Sequence, residues 1–160
     1  MAGNLYSSNF APVASPATAA WDIWEITAPS DAVIVVHGFF VFQTSDLGDA
    51  AEEVVSLFTQ RQTAAGTSGS VSSGTIVTGP LNNGMAATGA TVEGFNTTVA
   101  TNNLTVLERF GWNVRVPLQI WYTPETRPII APGMRWLLSS AGQADALTVG
   151  ATIWFEEIGG

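Results

Sequence analysis

The sequence predicts an all-β fold, an antiparallel β-sandwich, and three observations carry that prediction. Several segments alternate apolar and polar residues with a period of two. Gly and Pro punctuate the gaps between them. No segment shows a helical stripe that a strand pattern does not match as well. The length of 160 residues suits one domain. Charged residues make up only 11%, against about 25% in ordinary soluble domains. Polar duty passes to 18 Thr, 12 Ser and 16 Gly, a composition of short strands and turns.

Residues 1–19 are expected to form an extended N-terminal arm, and residues 20–160 a single sandwich domain. Pro12 and Pro16 favour extended backbone there, and no strand or helix period appears. Such a segment reads either as a solvated terminus or as an arm that lays Tyr6 and Phe10 onto a neighbouring subunit. Pattern begins with a strand over residues 21–27, closed by the turn Ala28-Pro29-Ser30-Asp31. A long strand follows over residues 32–44. Strict alternation puts Val33, Val35, Phe39 and Val41 on one face and Ile34, Val36, Phe40 and Phe42 on the other. A strand apolar on both faces is central, or is covered by another chain.

Residues 45–53 read as an acidic loop. Residues 54–62 fit a helix and a strand, and Val54-Val55 beside other β patterns favours strand. Residues 64–74 are a Gly/Ser/Thr-rich loop. Short strands are expected over 75–78 and 88–95, with a turn at Pro80–Gly84 between them. Residues 104–110 alternate. Trp112, Val114, Val116, Leu118 and Ile120 continue as one apolar face, opposite Asn113, Arg115, Pro117 and Gln119. Pro117 places this strand at an edge or a bulge. A turn at Ile130-Ala131-Pro132-Gly133 leads to a strand over 134–139. In the last strand Leu147, Val149, Ala151, Ile153 and Phe155 face in. About eight strands with this punctuation suggest a jelly roll.

The residue inventory excludes much chemistry. With no Cys there is no thiol catalysis and no Cys-ligated zinc, and with no Lys there is no Schiff base. The net charge of −8 repels phosphate backbones, so no nucleic-acid partner is expected. No apolar run approaches the about 20 residues of a membrane span, and no signal peptide opens the chain, so no membrane partner and a cytosolic start are expected. His37, the only histidine, lies mid-strand and reads as a buried core residue. Asp46, Asp49, Glu52 and Glu53 lack the spacing of a calcium loop and read as a solvated turn. Asp22 with Glu25, and Glu156 with Glu157, are candidate carboxylate pairs for a glycosidase, but Glu156 and Glu157 are strand neighbours and point apart. No catalytic residues, no cofactor and no metal are expected.

Two tryptophans break the in/out rule. Trp154 shares a face with Thr152 and Glu156, and Trp121 one with Gln119 and Arg115. Aromatic side chains among polar neighbours suggest an interface. Arg109, Arg115, Arg127 and Arg135 cluster in the second half, away from most acids, which favours self-assembly or a charged partner. The expected interface residues are therefore Tyr6, Phe10, Trp121, Trp154 and Arg115.

Three stretches carry a resemblance. Trp24-Glu25-Ile26-Thr27-Ala28-Pro29-Ser30-Asp31 runs into a long apolar strand and then Gln43-Thr44-Ser45-Asp46. Pro128-Ile129-Ile130-Ala131-Pro132-Gly133 precedes a strand. The chain closes on a strand ending Glu156-Glu157. Over residues 20–157 this resembles small β-sandwich virion proteins of tailed bacteriophages, most of all capsid decoration (cement) proteins. The resemblance implies a homotrimer on the virion surface, bound to the major capsid protein and assembled in the host cytoplasm. It implies no catalytic residues. The alternative is a carbohydrate- or receptor-binding β-sandwich module of a phage tail, with exposed Trp stacking on sugars.

Overall fold

Two antiparallel sheets packed face to face make up the chain in a computed structural model, which describes residues 3–45, 53–63, 66–67, 69–71 and 76–159. With strands numbered in chain order, sheet A holds β1 (Asn4–Ala14), β3 (Ala32–Gln43), β6 (Ile76–Pro80), β9 (Leu118–Trp121), β10 (Ile129–Ile130) and β12 (Thr148–Gly159). Sheet B holds β2 (Trp21–Thr27), β4 (Val54–Gln62), β5 (Ser70–Val71), β7 (Thr91–Thr98), β8 (Leu104–Asn113) and β11 (Arg135–Ser140). Sheet A runs β6-β1-β12-β3, and β9 and β10 both pair with the far edge of β3. Sheet B runs β5-β7-β2-β11-β4-β8. Among the described residues there is no helix. The all-β sandwich expectation holds, and residues 54–62 are a strand. The loop residues Asp46, Asp49 and Glu52, and most of the Gly/Ser/Thr-rich loop, lie outside the described residues.

The core is aromatic. Phe39 meets Phe110, Trp136 and Tyr122 at 5.8, 6.3 and 6.4 Å between ring centroids. Trp24 lies against Phe10, and Trp21 against Phe95, both at 5.0 Å. Rings at these separations gain beyond their buried area. Phe95 itself sits at φ 60, a conformation that bulky residues avoid.

The turns follow their chemistry. Met134 N–H donates to Ala131 O at 2.9 Å, with Pro132 and Gly133 between them. Gly133 has φ +70, so this is the type II turn that needs Gly at its third position.

Three expectations are corrected. First, the N-terminal segment is not an arm on a neighbour. Residues 4–14 form β1, which pairs with both β12 and β6. Tyr6 and Phe10 are buried, Tyr6 stacking on Phe155. Alternation was present as Tyr6-Ser8-Phe10, but the small polar Ser8 concealed it. Second, residues 112–120 are not one strand. The chain leaves sheet B after Asn113 and enters sheet A at Leu118. Pro117, which cannot donate to a ladder, sits at that corner, and Val116 is exposed rather than inward. Third, β3 does not alternate strictly. Its register with β12 slips by one residue, leaving His37 as the extra residue of a bulge. Before the bulge Ile34 and Val36 face the core; after it Phe39 and Val41 do.

Candidate interaction surface

The bulge decides what the outer face of sheet A displays. Past His37 the parity of β3 reverses, so Val33, Val35, His37, Phe40 and Phe42 all lie on the outer side. Phe40 and Phe42 stack on each other at 5.5 Å. One step along the sheet, Trp154, Gly38 and Trp121 are neighbours across three strands. Gly38 has no side chain, so the two indoles close over it and stack at 4.6 Å, 27° apart. A Cβ on Gly38 would lie 2.4 Å from Ile120 O and 2.8 Å from Trp121 Cε3. The close approach of β9 therefore requires glycine. Gly38→Ala is expected to cost about 1–3 kcal/mol, read as a lower urea midpoint at an unchanged slope.

The aromatic row has a polar margin. His37 Nε2 lies 3.1 Å from Glu156 Oε2. Glu156 Oε1 accepts the Gly3 N–H at 2.8 Å, which ties the start of the chain to β12. Ile129, opposite Val35 in register, is 72% exposed, and Trp121 is 55% exposed. Apolar residues thus run from Phe42 through the Trp pair to Ile129, and Trp121 and Ile129 are exposed among the described residues. His37 is a correction: it is on the outer face with a carboxylate partner, not in the core. The signal was Gly38 beside it, since a glycine inside a strand marks a bulge.

The five residues expected at an interface separate. Trp121 and Trp154 come together on this face. Tyr6 and Phe10 lie in the core. Arg115 lies in the exposed turn between β8 and β9, where its N–H donates to Asn113 Oδ1 at 3.1 Å, and it shares no strand with Trp121. The arginines form no single patch. Arg135 is engaged with Glu25 at 3.3 Å, and Arg109 lies over the Phe58 ring at 5.4 Å.

Sheet B has a different exterior, which sequence reasoning missed. The ladder between β2 and β11 slips at Ile23. Ile23 and Trp24 both enter the core, while Asp22 and Glu25 turn to the other side. Connecting segments cover these carboxylates. Asp22 accepts from Ser139 Oγ at 2.6 Å and from the Ala100 N–H at 2.7 Å. Glu25 accepts from the Gly69 N–H at 2.9 Å and from Asn96 Nδ2 at 3.3 Å. Gln62 Nε2 donates to Thr67 O and Thr101 O at 3.0 and 2.8 Å. Burial pushes the Asp22 carboxyl up to about 6, against the hydrogen bonds from Ser139 and Ala100 and with help from the Glu25 charge. Apart from Asn96 Oδ1, which has no partner among the described residues, these groups satisfy one another, and their work is to pin the connections onto sheet B. Elsewhere burial, with Glu108 beside it, raises the Tyr122 phenol, which donates to Glu108 Oε2 at 2.8 Å.

Compared with known protein families, curated protein sequences and solved structures, the chain has no match.

Proposed function

We propose that the protein is a structural assembly protein that docks through the outer face of sheet A, and that its role is head decoration of a phage virion. One observation supports the docking reading above all: the aromatic row Phe42, Phe40, Trp154 and Trp121, continued by Ile129, on a sheet that no other layer covers among the described residues. Sandwich sheets that face water carry polar outer residues. The outer side of sheet B is instead roofed by its own connections, so sheet A is the face left for a partner. The strand order supports the jelly-roll form. β1-β12-β3-β9 and β2-β11-β4-β8 make the two layers, and the chain alternates between them from β1 to β4 and from β8 to β12 apart from the short edge strands. The phage role itself rests on the sequence resemblance.

The mechanism is mechanical. Trimers seated on a capsid would bury apolar area and raise the barrier to separating the subunits below. About 1,000 Å² of apolar contact contributes about 25 kcal/mol before association costs. Light scattering is expected to give about 50 kDa, three times the 16.8 kDa chain. Wild type is expected to co-sediment with expanded capsids, and Trp154→Asp to stay in the supernatant while still folded. A monomer that never sediments with capsids sinks the proposal.

A second reading is favoured by the Trp121–Trp154 stack with Gln119, His37 and Glu156 around it. A flat indole with hydrogen-bonding neighbours is also a platform for a sugar ring. Saturable hits on a glycan array, lost in Trp121→Ala, would replace capsid docking with this reading.

A further inference from the structure

A cavity of about 510 Å³ opens at one end of the sandwich, bordered by Ile129 where the apolar row ends. It lies between β10 of sheet A and the ends of β4, β8 and β11 in sheet B. Sites for single small ligands have volumes of about 300–1,000 Å³, mostly apolar walls and a few placed polar groups. This cavity has that composition.

The apolar wall is Leu107, Ile129, Met134 and Trp136. Leu107 stands there because the β4–β8 register slips by one residue, leaving it as the unpaired residue of a bulge. Bulges re-aim side chains in this way beside binding sites. Leu107 and Ile129 are both well exposed, at 44% and 72%. An apolar body laid between them would remove that surface from water. The Trp136 indole N–H adds a buried donor with no acceptor.

Charge selects the ligand's head group. Two arginines line the mouth, and they differ. The Arg135 guanidinium is committed to Glu25, Thr27, Gln62 and Gly66 at 2.9–3.3 Å. Arg61 is exposed and makes no hydrogen bond or ion pair among the described residues. Among the described residues no carboxylate lines the mouth. In a chain of net charge −8 this is a local reversal of sign. A planar guanidinium with all its donors free matches a carboxylate in two-point geometry.

We propose that this mouth binds a small amphiphilic monocarboxylate, its head on Arg61 and its apolar body along Leu107, Ile129, Met134 and Trp136. The site shares Ile129 with the end of the docking row but contains none of Phe40, Phe42, Trp121 and Trp154. A carboxylate without a tail gains only an exposed ion pair, worth little. A tail without a charge loses the selective contact.

The test is calorimetric titration of the full chain with decanoate, decanol and acetate. Decanoate is expected to bind one per chain and about tenfold tighter than decanol, with acetate showing no saturable binding. Arg61→Gln is expected to weaken decanoate by about tenfold and leave decanol unchanged. Arg61 is exposed, so this variant should fold; Trp154→Ala, outside the cavity lining, is expected to leave decanoate binding unchanged. The proposal is overturned if decanol binds as tightly as decanoate, or if Arg61→Gln leaves decanoate binding intact. It is equally overturned if nothing binds saturably, or if binding is lost in Trp154→Ala instead.

Discussion

Phe39→Ala is expected to lower the unfolding free energy by about 3–5 kcal/mol, and Phe40→Ala by no more than about 1.5 kcal/mol. The two residues are adjacent and chemically identical, so the difference isolates their position. Phe39 is fully buried among Phe110, Tyr122 and Trp136. Removing its ring loses the transfer energy and leaves a cavity that rigid neighbouring rings cannot close. Phe40 lies half-buried on the outer face, its ring tilted against Phe42 at 5.5 Å. The contrast depends on the bulge at His37. Under strict alternation from Ile34 and Val36, Phe40 would be the core residue and the order of the two losses would reverse. Urea unfolding of both variants decides between the two registers. If the outer face docks onto a partner, Phe40→Ala shows its larger effect there, as lost association and not as lost stability.

Asp22→Asn is expected to change stability in a pH-dependent way, by about 2.4 kcal/mol between pH 4 and pH 7.5. Burial raises the Asp22 carboxyl from 3.8 to about 6. The folded state therefore holds its proton across a window in which the unfolded chain has already lost it. The sign follows from that. As pH rises from about 4 to about 6, deprotonation favours the unfolded chain, and this residue's contribution to stability falls. Above about pH 7 the loss is complete. Asparagine has no proton to lose, so the variant's stability relative to wild type should climb through that window and then level. Its Oδ1 can keep the Ala100 N–H, and its Nδ2 can donate to Ser139. Paired denaturant curves at several pH values measure the difference directly. A difference that stays flat with pH would mean the carboxyl titrates normally and is open to water. The wild-type residue thus costs stability at neutral pH. What it supplies in return is the specific attachment of residue 100 to sheet B.

The sequence by itself determined the class of fold and most of its strands. Alternation in residues 148–156 found β12 and its inward set. Trp154 was visible as an outward aromatic, and so was Trp121, because a large apolar residue opposite an apolar row breaks a local rule. The turn before β11 was legible because Pro132 and Gly133 have backbone preferences of their own. Local chemistry writes such features, and they can be read one segment at a time.

The tertiary structure decided what depends on a partner strand. The slips at His37, Ile23 and Leu107 exist only relative to a neighbouring ladder. Each moves side chains to the opposite face, because the side-chain period of a strand is two. That is why Phe39 was assigned to the wrong set, why Asp22 and Glu25, three residues apart, share a side, and why Leu107 lines a cavity. Tyr6 and Phe10 looked like an arm because their burial needs β12, about 145 residues away, to pair with them. Arg115 and Trp121 looked like one face until the chain changed sheets at Pro117. The meeting of Trp121 with Trp154 required all of these at once: β9 beside β3, β3 beside β12, and a glycine between them with no side chain to keep the rings apart.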